Sequence, residues 1–481
     1  MTELCDRSAV ELRRLIGTKE ISPVELLDSC LARIETVDPM VNAMVAIDRD
    51  GARKAAGDAE RAALRGEPLG VLHGLPIGIK DLSETAGLRT TYGSLLFKDH
   101  VPARDDRMVA AIRAAGGIVL GKTNTPEFGA GGNTRNLVYG ATGNPFDPVL
   151  TCAGSSGGSA VALATGMVPL ATGSDFGGSL RTPAAFCGIV GMRPTPGLVP
   201  NTRRPMGFSP LSVEGPMGRD VADTALLLSA IAGDDPRDPW SAPVDAAALR
   251  GLPEIDLSQL SVAVSEDLGF APIDDDIRAV FHRRCGTFAD LFKQSVERDP
   301  DMGDADRTLA VLRGEGFVAA YHSTYKGHED KLGFPVKSNI ELALGFTFQD
   351  HATAHAQQTA LYRRFQDLFD EIDVLICPAA SVSPFPHATW APGEINGVKL
   401  DHYFHWIAIT YGITLTGHPV VVVPCGVDHK GMPFGIQLVG PRRGDRFILG
   451  VAAALERVFA IRPELSRPLP DLARLAGVPG R

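Results

Sequence analysis

Apolar and polar positions near the start of the chain repeat at the spacing of amphipathic helices. Within residues 26–34 the apolar side chains recur at intervals of three and four, which places them on one helix face. Residues 22–25 (SPVE) before them have the pattern of a capping box with proline at the first helical position. A second capping box at residues 8–11 predicts another helix, and Asp38-Pro39 predicts the end of the helix that starts at residue 23.

Further along the chain, helical patterns alternate with short apolar runs that have the length of strands. Helices are predicted over residues 52–64, 221–231 and 447–459, after the capping residues Asp105 and Asp106, and through much of 274–362. Strands are predicted within 69–79 and at 118–120, 260–264, 373–378 and 420–424, with proline ending the last two. This alternation indicates an α/β sheet.

Composition excludes several classes of partner. The chain has 481 residues, of which 44% are apolar and 22% are charged, so it can build a large core. Its 47 basic and 57 acidic residues give a net charge of −10, and no long basic run is present. We therefore expect neither a nucleic acid nor a membrane surface as partner.

Cysteine usage and the absence of targeting patterns predict the location. The seven cysteines are scattered and form no C-x-x-C pair, which is typical of a reducing compartment. Charged side chains interrupt the first residues, so no signal-peptide core is predicted, and no apolar run reaches ~18 residues. We therefore expect a cytoplasmic protein.

Two Ser/Gly clusters, at residues 154–159 and 173–179, carry the candidate chemistry. Ser155 and Ser179 lie 24 positions apart in these clusters. Glycine lets a ligand approach the backbone N–H groups closely, and converging N–H groups are what acyl transfer needs to hold an oxyanion. Flexible linkers are the plainer interpretation, but the segment 160–171 between the clusters is apolar enough to be buried. The pattern favours a catalytic serine.

A catalytic serine requires a base, and the sequence offers a lysine. The G-x-S-x-G elbow is absent, and no histidine lies between His100 and His282, so a Ser-His-Asp triad is not evident. Lys80 ends the apolar run 74–80, which predicts burial rather than exposure. Burial disfavours the charged form of lysine, and the neutral amine can act as a base.

The motifs around these residues resemble the amidase signature family. Lys80 lies in GLPIGIKD, Ser155 in AGSSGGSA and Ser179 in SDFGGSLRTPA, with the spacing of that family's lysine, bridging serine and nucleophilic serine. The segments 121–128, 187–191 and 431–437 also match, so that the resemblance extends from about residue 8 to residue 461. Ala153 departs from the pattern, since the family more often has glycine there.

The resemblance implies the fold. We expect one amidase-signature domain over residues 1–481, with a mixed central β-sheet flanked by helices on both faces. Its core with the catalytic motifs would cover about 70–220 and 370–460. The region of about 265–405 shows the weakest family pattern and is predicted to shape the substrate pocket.

The resemblance also implies the roles of the site residues. Ser179 would attack the carbonyl carbon, Ser155 would relay the proton after a cis Gly154–Ser155 peptide bond, and neutral Lys80 would receive it. The oxyanion would be held by the N–H groups of Phe176, Gly177, Gly178 and Ser179. No metal or cofactor is implied. Asp175 and Arg181 either orient the site or form a structural ion pair.

A small-molecule amide is the expected substrate, because members of this family hydrolyse C–N bonds next to a carbonyl and also esters, anilides, carbamates and hydrazides. The candidate substrate-binding residues are Gly131, Gly132, Tyr403, Phe404 and Trp406. The aromatic residues of this group, with Phe385 and Trp390, favour an apolar substrate, an aryl amide being one form.

Two other motifs are weaker. Residues 116–123 (GGIVLGKT) satisfy the phosphate-loop pattern, but the predicted strand occupies the variable stretch of the motif, which argues against an ATPase. The pairs His351/His355 and His402/His405 lack the glutamate of H-E-x-x-H and an evident third ligand, so that no metal site is predicted.

Two other functions stay open. The same motifs fit the glutaminase subunit of a tRNA-dependent amidotransferase, which works with a partner, and they also fit a catalytically silent binding protein. Intact Lys80, Ser155 and Ser179 argue against the silent protein. A homodimer is possible by analogy alone.

Overall fold

The computed structural model describes residues 3–477, apart from the side chains of residues 324–325. Its α-helices are α1 (Ala9–Gly17), α2 (Pro23–Val41), α3 (Arg49–Arg65), α4 (Arg107–Ala114), α5 (Gly157–Ala164), α6 (Arg181–Cys187), α7 (Val221–Ile231), α8 (Asp275–Gly286), α9 (Ala305–Tyr325), α10 (Phe334–Leu344), α11 (Phe348–Phe369), α12 (Ala408–Thr416), α13 (Asp445–Ala460) and α14 (Leu472–Ala476). Its strands are β1 (Met44–Ile47), β2 (Pro76–Lys80), β3 (Ile118–Thr123), β4 (Arg135–Asn136), β5 (Gly140–Ala141), β6 (Leu170–Asp175), β7 (Val190–Arg193), β8 (Val213–Gly218), β9 (Ser261–Val264), β10 (Gln294–Glu297), β11 (Val374–Pro378), β12 (Glu394–Ile395), β13 (Val398–Lys399), β14 (Val420–Val427) and β15 (Pro433–Val439).

A mixed sheet forms the centre of the fold, as predicted. Eleven strands of the described chain join it in the order β1-β3-β2-β6-β8-β7-β14-β15-β11-β9-β10. β2 runs parallel to β3 and β6, whereas β8 runs antiparallel to β6. Helices flank the sheet, and every residue of β2, β11 and β15 is buried.

Parallel pairing of β2 with β6 brings the two halves of the site together. Ile77 pairs with Leu170 and Gly78 with Ala171, so both strands end at the same edge of the sheet. Lys80 is the last residue of β2, and the second Ser/Gly cluster follows from the end of β6. Ligands of open α/β sheets bind beyond the carboxyl ends of strands, where this edge lies.

The predicted end of the second helix is wrong. α2 continues through Pro39 to Val41 and stops where Asn42 adopts a left-handed conformation with φ 54°. The carboxylate of Asp38 accepts a hydrogen bond from the N–H of Ala43 at 2.7 Å, which helps to redirect the chain into β1. Local side-chain capping rather than proline therefore sets this boundary.

Pro424 does not end the strand predicted at residues 420–424. β14 continues to Val427, and its register with β15 shifts between Pro424 and Val427. A β-bulge accommodates a proline that cannot donate to the ladder, which explains the difference.

The phosphate-loop motif at residues 116–123 is not a phosphate-binding loop here. Residues 118–123 form β3, and Lys122 is fully buried. Its Nζ donates to Thr85 Oγ1 at 3.0 Å and to the carbonyl of Ser83.

In the described part of the chain, no helix is long and apolar enough to cross a membrane.

Candidate active site

Lys80 lies at the bottom of the site, within a group of hydroxyls. Its side chain is buried, and its Nζ lies 2.7 Å from Ser155 Oγ, 2.8 Å from Ser156 Oγ and 2.9 Å from Ser174 Oγ. The three hydroxyls account for all the donors of an ammonium group. The family resemblance implied that Lys80 and Ser155 lie together, and the structure has them in contact.

Burial decides the charge state of this lysine. It lowers the pKa of Lys80 to about 7, and the negative charges of Asp175 and Glu214 act against the lowering. A substantial fraction of the amine is therefore neutral near neutral pH and able to accept a proton.

Ser179 lies in the turn between β6 and α6, with its side chain open to a cavity that Ser155 also lines. Its Oγ has no hydrogen-bond partner among residues 3–477. The backbone joins the two clusters, since the N–H of Ser156 donates to the carbonyl of Ser179 at 3.3 Å. The second serine is thus free to contact a ligand.

The backbone donors beside Ser179 differ from the expectation at one position. The N–H of Gly178 donates to Asp175 Oδ1 at 3.0 Å and is not available to an oxyanion. The N–H groups of Phe176, Gly177 and Ser179 have no acceptor within the described chain. Gly178 has φ 121°, and a Cβ there would lie 2.2 Å from Thr410 Oγ1, so the turn requires glycine. Three free donors therefore line this turn.

Asp175 and Arg181 form a buried ion pair, which was one of the two alternatives left by the sequence. Arg181 Nη2 lies 2.9 Å from Asp175 Oδ1 and its Nε 3.0 Å from Oδ2, and Arg193 Nη1 lies 3.2 Å from Oδ1. Burial alone would raise the pKa of Asp175, but the two guanidinium groups hold it well below its usual range. The pair anchors the turn that carries Ser179, because Asp175 also accepts from the N–H of Leu180.

The turn before Ser155 is unusual in its backbone. The Gly154–Ser155 peptide bond is cis, as the family resemblance implied. Ala153 has φ 59°, in the left-handed region that favours glycine. Its carbonyl accepts hydrogen bonds from the N–H of Thr134 at 3.0 Å and from its Oγ1 at 2.8 Å. This conformation explains why glycine would suit position 153.

The serines open into a cavity of about 510 Å³. Aromatic rings form much of its wall, namely Tyr92, Phe97, Phe128, Phe176, Phe317 and Tyr321. Phe128 and Tyr321 stack with ring centroids 4.4 Å apart. The charged side chains of the wall are Glu84, Asp106, Arg203, Arg204, Glu214 and Arg313. Such a cavity suits a ligand with an apolar or aromatic part.

The five residues predicted to bind substrate lie outside this lining, namely Gly131, Gly132, Tyr403, Phe404 and Trp406. Trp406 is 0% exposed and packs against Gly132, where a Cβ would lie 2.5 Å from the indole ring. Phe404 and Trp406 are buried in the core, whereas Gly131 and Tyr403 are partly buried. Aromatic composition alone does not distinguish a cavity wall from the core behind it.

Tyr403 does not line the cavity but contacts a residue that does. Its hydroxyl accepts hydrogen bonds from Asn339 Nδ2 at 2.6 Å and from Arg313 Nη2 at 3.2 Å. Arg313 lines the cavity from α9, which belongs to the variable region 265–405. That region therefore contributes to the pocket, but through α9 rather than through residues 403–406.

Sequence reasoning missed several residues of the site. Ser174 contacts Lys80, and Glu214 lines the cavity, yet neither was singled out. Ser174 lay within the cluster 173–179 and could have been found there. The segment 201–214 and the Tyr92 region also form walls, which nothing in the local pattern indicated.

The histidine pairs make other contacts. His351 Nδ1 and His355 Nε2 both lie within 3.1 Å of Glu315 Oε1, and His405 Nε2 lies 3.3 Å from Asp306. His402 stacks on Phe404. Among residues 3–477, no group of three or more His, Cys, Asp or Glu side chains has the arrangement of a metal site.

The chain is similar to proteins of the amidase family, among them an acylamidase and an amidotransferase subunit. Residues 25–449 match the family model described as Amidase. An acylamidase of Rhodococcus erythropolis is 34% identical over 462 residues, which covers 95% of this chain and 95% of that protein. One of the glutamyl-tRNA(Gln) amidotransferase subunits of Picosynechococcus is 32% identical over 480 residues, covering 93% of this chain and 97% of that protein.

A solved structure shares the whole fold. A bacterial aryl acylamidase of the amidase signature enzymes superimposes with a TM-score of 0.87 at 30% identity, covering 98% of this chain and 99% of that one.

Proposed function

Because the chain belongs to the amidase family, whose enzymes hydrolyse amides, we propose that it cleaves carboxylic amides through an acyl intermediate on Ser179, with Ser155 as proton relay and Lys80 as base. The observation that carries this proposal is the 2.7 Å contact between Lys80 Nζ and Ser155 Oγ, in a cavity that Ser179 also lines. A buried lysine with a pKa of about 7 can take a proton from a serine near neutral pH.

The proposed reaction has two halves. Ser179 Oγ forms a bond to the carbonyl carbon while its proton passes through Ser155 to Lys80, and the free N–H groups of the turn hold the oxyanion. Lys80 then returns a proton through Ser155 to the leaving nitrogen, and the C–N bond breaks. Water next attacks the acyl carbon, giving the acid and restoring Ser179. The relay needs Ser179 Oγ within hydrogen-bond reach of Ser155, a contact that such sites often tighten only with substrate bound.

We further propose that the substrate carries an aryl group. The six aromatic rings of the cavity wall support this, and an acylamidase and an aryl acylamidase are among the similar proteins. Carbonyl chemistry of this kind also tolerates ester and carbamate leaving groups, which makes such side activities part of the proposal.

The test is hydrolysis of p-nitroacetanilide and a panel of anilides, aryl esters, carbamates and alkyl amides. We expect release of p-nitroaniline by the wild type and a loss of at least about a thousandfold in Ser179→Ala. Ser155→Ala and Lys80→Ala should lose about a hundredfold or more. Ser159→Ala is the matched control, because Ser159 lies in the same cluster but bonds Thr123 and Thr172 rather than Lys80.

A second candidate is the glutaminase subunit of an amidotransferase, favoured by relatives of that type at 32% to 35% identity over nearly the whole chain. Glutamine and p-nitroacetanilide distinguish the two. Ammonia release confined to glutamine, or dependent on a second subunit, would replace the aryl amidase proposal.

A further inference from the structure

One acidic side chain of the cavity, unlike the other two, forms no ion pair within the described residues. Glu84 pairs with Arg203 and accepts from the hydroxyl of Tyr92 at 2.7 Å, and Asp106 also pairs with Arg203 at 3.2 Å. Glu214 lines the same cavity but forms no ion pair or side-chain hydrogen bond with any residue of 3–477. Its carboxyl is therefore free to respond to another charge.

Strand register places Glu214 beside the lysine. In the antiparallel pair of β6 and β8, Glu214 lies directly opposite Ser174. Directly opposed residues share a face of the sheet, with Cβ atoms about 5 Å apart. Ser174 Oγ is bonded to Lys80 Nζ at 2.9 Å, so Glu214 lies on the same face as that contact.

The other nearby acid cannot supply this charge freely. Asp175 is compensated by Arg181 and Arg193, both buried with it. Its charge also raises the pKa of Lys80, but the two guanidinium groups partly offset it. Glu214 is thus the acid near Lys80 that forms no ion pair within residues 3–477, although Arg107, Arg203 and Arg204 lie close enough to lower its pKa.

The two groups titrate in the same range. Burial lowers the pKa of Lys80 to about 7, and burial, with a further contribution from Asp106, raises that of Glu214 to about 8. The charged groups that face Glu214 or Lys80 from neighbouring elements are Asp106, Arg107, Asp175, Arg203 and Arg204. A proton gained by Lys80 therefore favours ionisation of Glu214, and the reverse also holds.

We propose that Glu214 is a positioning residue that acts through Lys80: when the lysine takes the serine proton, the ionised form of Glu214, which this transfer favours, stabilises the ammonium ion that forms. This inference rests on the proposed function of Lys80 as base. In this role, Glu214 sets the pH range in which Lys80 accepts a proton.

The test compares Glu214→Gln with Glu84→Gln, which removes a charge from the same cavity wall but from a carboxylate already paired with Arg203. We measure kcat and kcat/KM against pH with p-nitroacetanilide. In Glu214→Gln the acid limb of kcat/KM should move to lower pH by about half a unit to one unit, because the ammonium form loses its stabilising charge. The weaker base should lower kcat about threefold to tenfold, with KM changed much less. Glu84→Gln should leave the position of the acid limb unmoved.

A titration of Lys80 by the NMR signal of its ¹³C-labelled side chain gives a readout independent of turnover. The midpoint should fall in Glu214→Gln, stay in Glu84→Gln, and recover toward the wild-type value in Glu214→Asp. An unchanged or raised midpoint in Glu214→Gln overturns the inference. A wild type that hydrolyses nothing in the panel contradicts the proposed function, and the titration still decides the role of Glu214.

Discussion

At the residue scale, the proposed chemistry depends on the environment of Lys80. The amine contacts three serine hydroxyls and is buried, and this burial keeps part of it neutral near pH 7. The rate should therefore follow the fraction of neutral lysine.

The pH profile tests that statement. Since the neutral amine is the proposed active form, kcat/KM should rise with pH through an apparent pKa of about 7 and level off above it. Below about pH 6 the slope should approach tenfold per pH unit. An acid limb near the ordinary range of carboxylic acids would instead indicate a different base.

Ser174 gives a graded prediction at the same scale. Ser174→Ala removes one of the three hydroxyls on Lys80 Nζ but not the serine proposed as relay. We expect kcat to fall about threefold to thirtyfold, less than in Ser155→Ala, since one hydrogen bond to a charged group is lost. A loss equal to that of Ser155→Ala would contradict the separate roles.

Lys80, Ser155 and Ser179 could be identified from the sequence as candidates because each lies in a local motif. Ser174 lay within the second cluster, but its contact with the lysine depends on the pairing of β2 with β6, and the place of Glu214 depends on the register of β6 with β8. The left-handed Ala153 shows the same limit: its departure from the family pattern was visible, but its φ of 59° was not. Residues 403–406 were misplaced because aromatic side chains serve cores and cavities alike.

At the scale of elements, the turn from β6 to α6 carries Ser179, the proposed nucleophile, and depends on a buried ion pair. Arg181 also donates to Gln437 Oε1 at 2.8 Å and to Thr414 Oγ1 at 2.8 Å, which links α6 to β15 and α12. Two of the Arg193 nitrogens, Nε and Nη2, lack partners in the described chain, so this guanidinium depends on Asp175.

Asp175→Asn should therefore destabilise the fold strongly. It leaves two buried guanidinium charges uncompensated, a change that costs about 3 to 5 kcal/mol in comparable buried pairs. Urea unfolding measures the effect. The exposed pair of Asp58 with Arg61 supplies the control, because Asp58→Asn should change stability little. Equal effects of the two substitutions would contradict the structural role of the buried pair.

Most elements could be predicted from periodicity and caps, including α3, α7 and α13. The errors lie where a proline was taken as a stop. Pro39 is tolerated in the last turn of α2, and Pro424 is accommodated at a bulge of β14. In both cases the neighbouring structure, rather than the local pattern, determines where the element ends.

At the scale of the whole molecule, the sheet brings together residues far apart in the chain. The α/β class followed from the alternation of helix and strand patterns. The strand order did not, because pairings such as β7 with β14 join distant segments that carry no local signal.

Packing of α7 on α13 makes one contribution to stability depend on pH. Glu456 of α13 accepts from the N–H of Val221 at 3.1 Å, and burial, then Asp220, raises its pKa to about 8. This folded-state pKa lies above the unfolded value. Protonated Glu456 therefore stabilises the fold fully below about pH 4, and this stabilisation is lost as pH rises toward 8.

Glu456→Gln should remove this loss of stability with rising pH. Relative to the wild type, the variant should gain about 1 kcal/mol or more in unfolding free energy between about pH 5.5 and about pH 8. Urea unfolding at the two pH values checks this, with the exposed Glu371→Gln as control. A pH dependence unchanged by Glu456→Gln would mean that this carboxyl is ionised in the fold.

The acyl intermediate on Ser179 is the central claim, and direct identification of the modified residue tests it most directly. The enzyme is mixed with p-nitrophenyl acetate, quenched rapidly, digested, and mapped by mass spectrometry. We predict an acetyl group on Ser179 in the wild type, none at this site in Ser179→Ala, and slow accumulation in Lys80→Ala. Acetylation at Ser155, or hydrolysis of p-nitroacetanilide that persists in Ser179→Ala, would contradict the account.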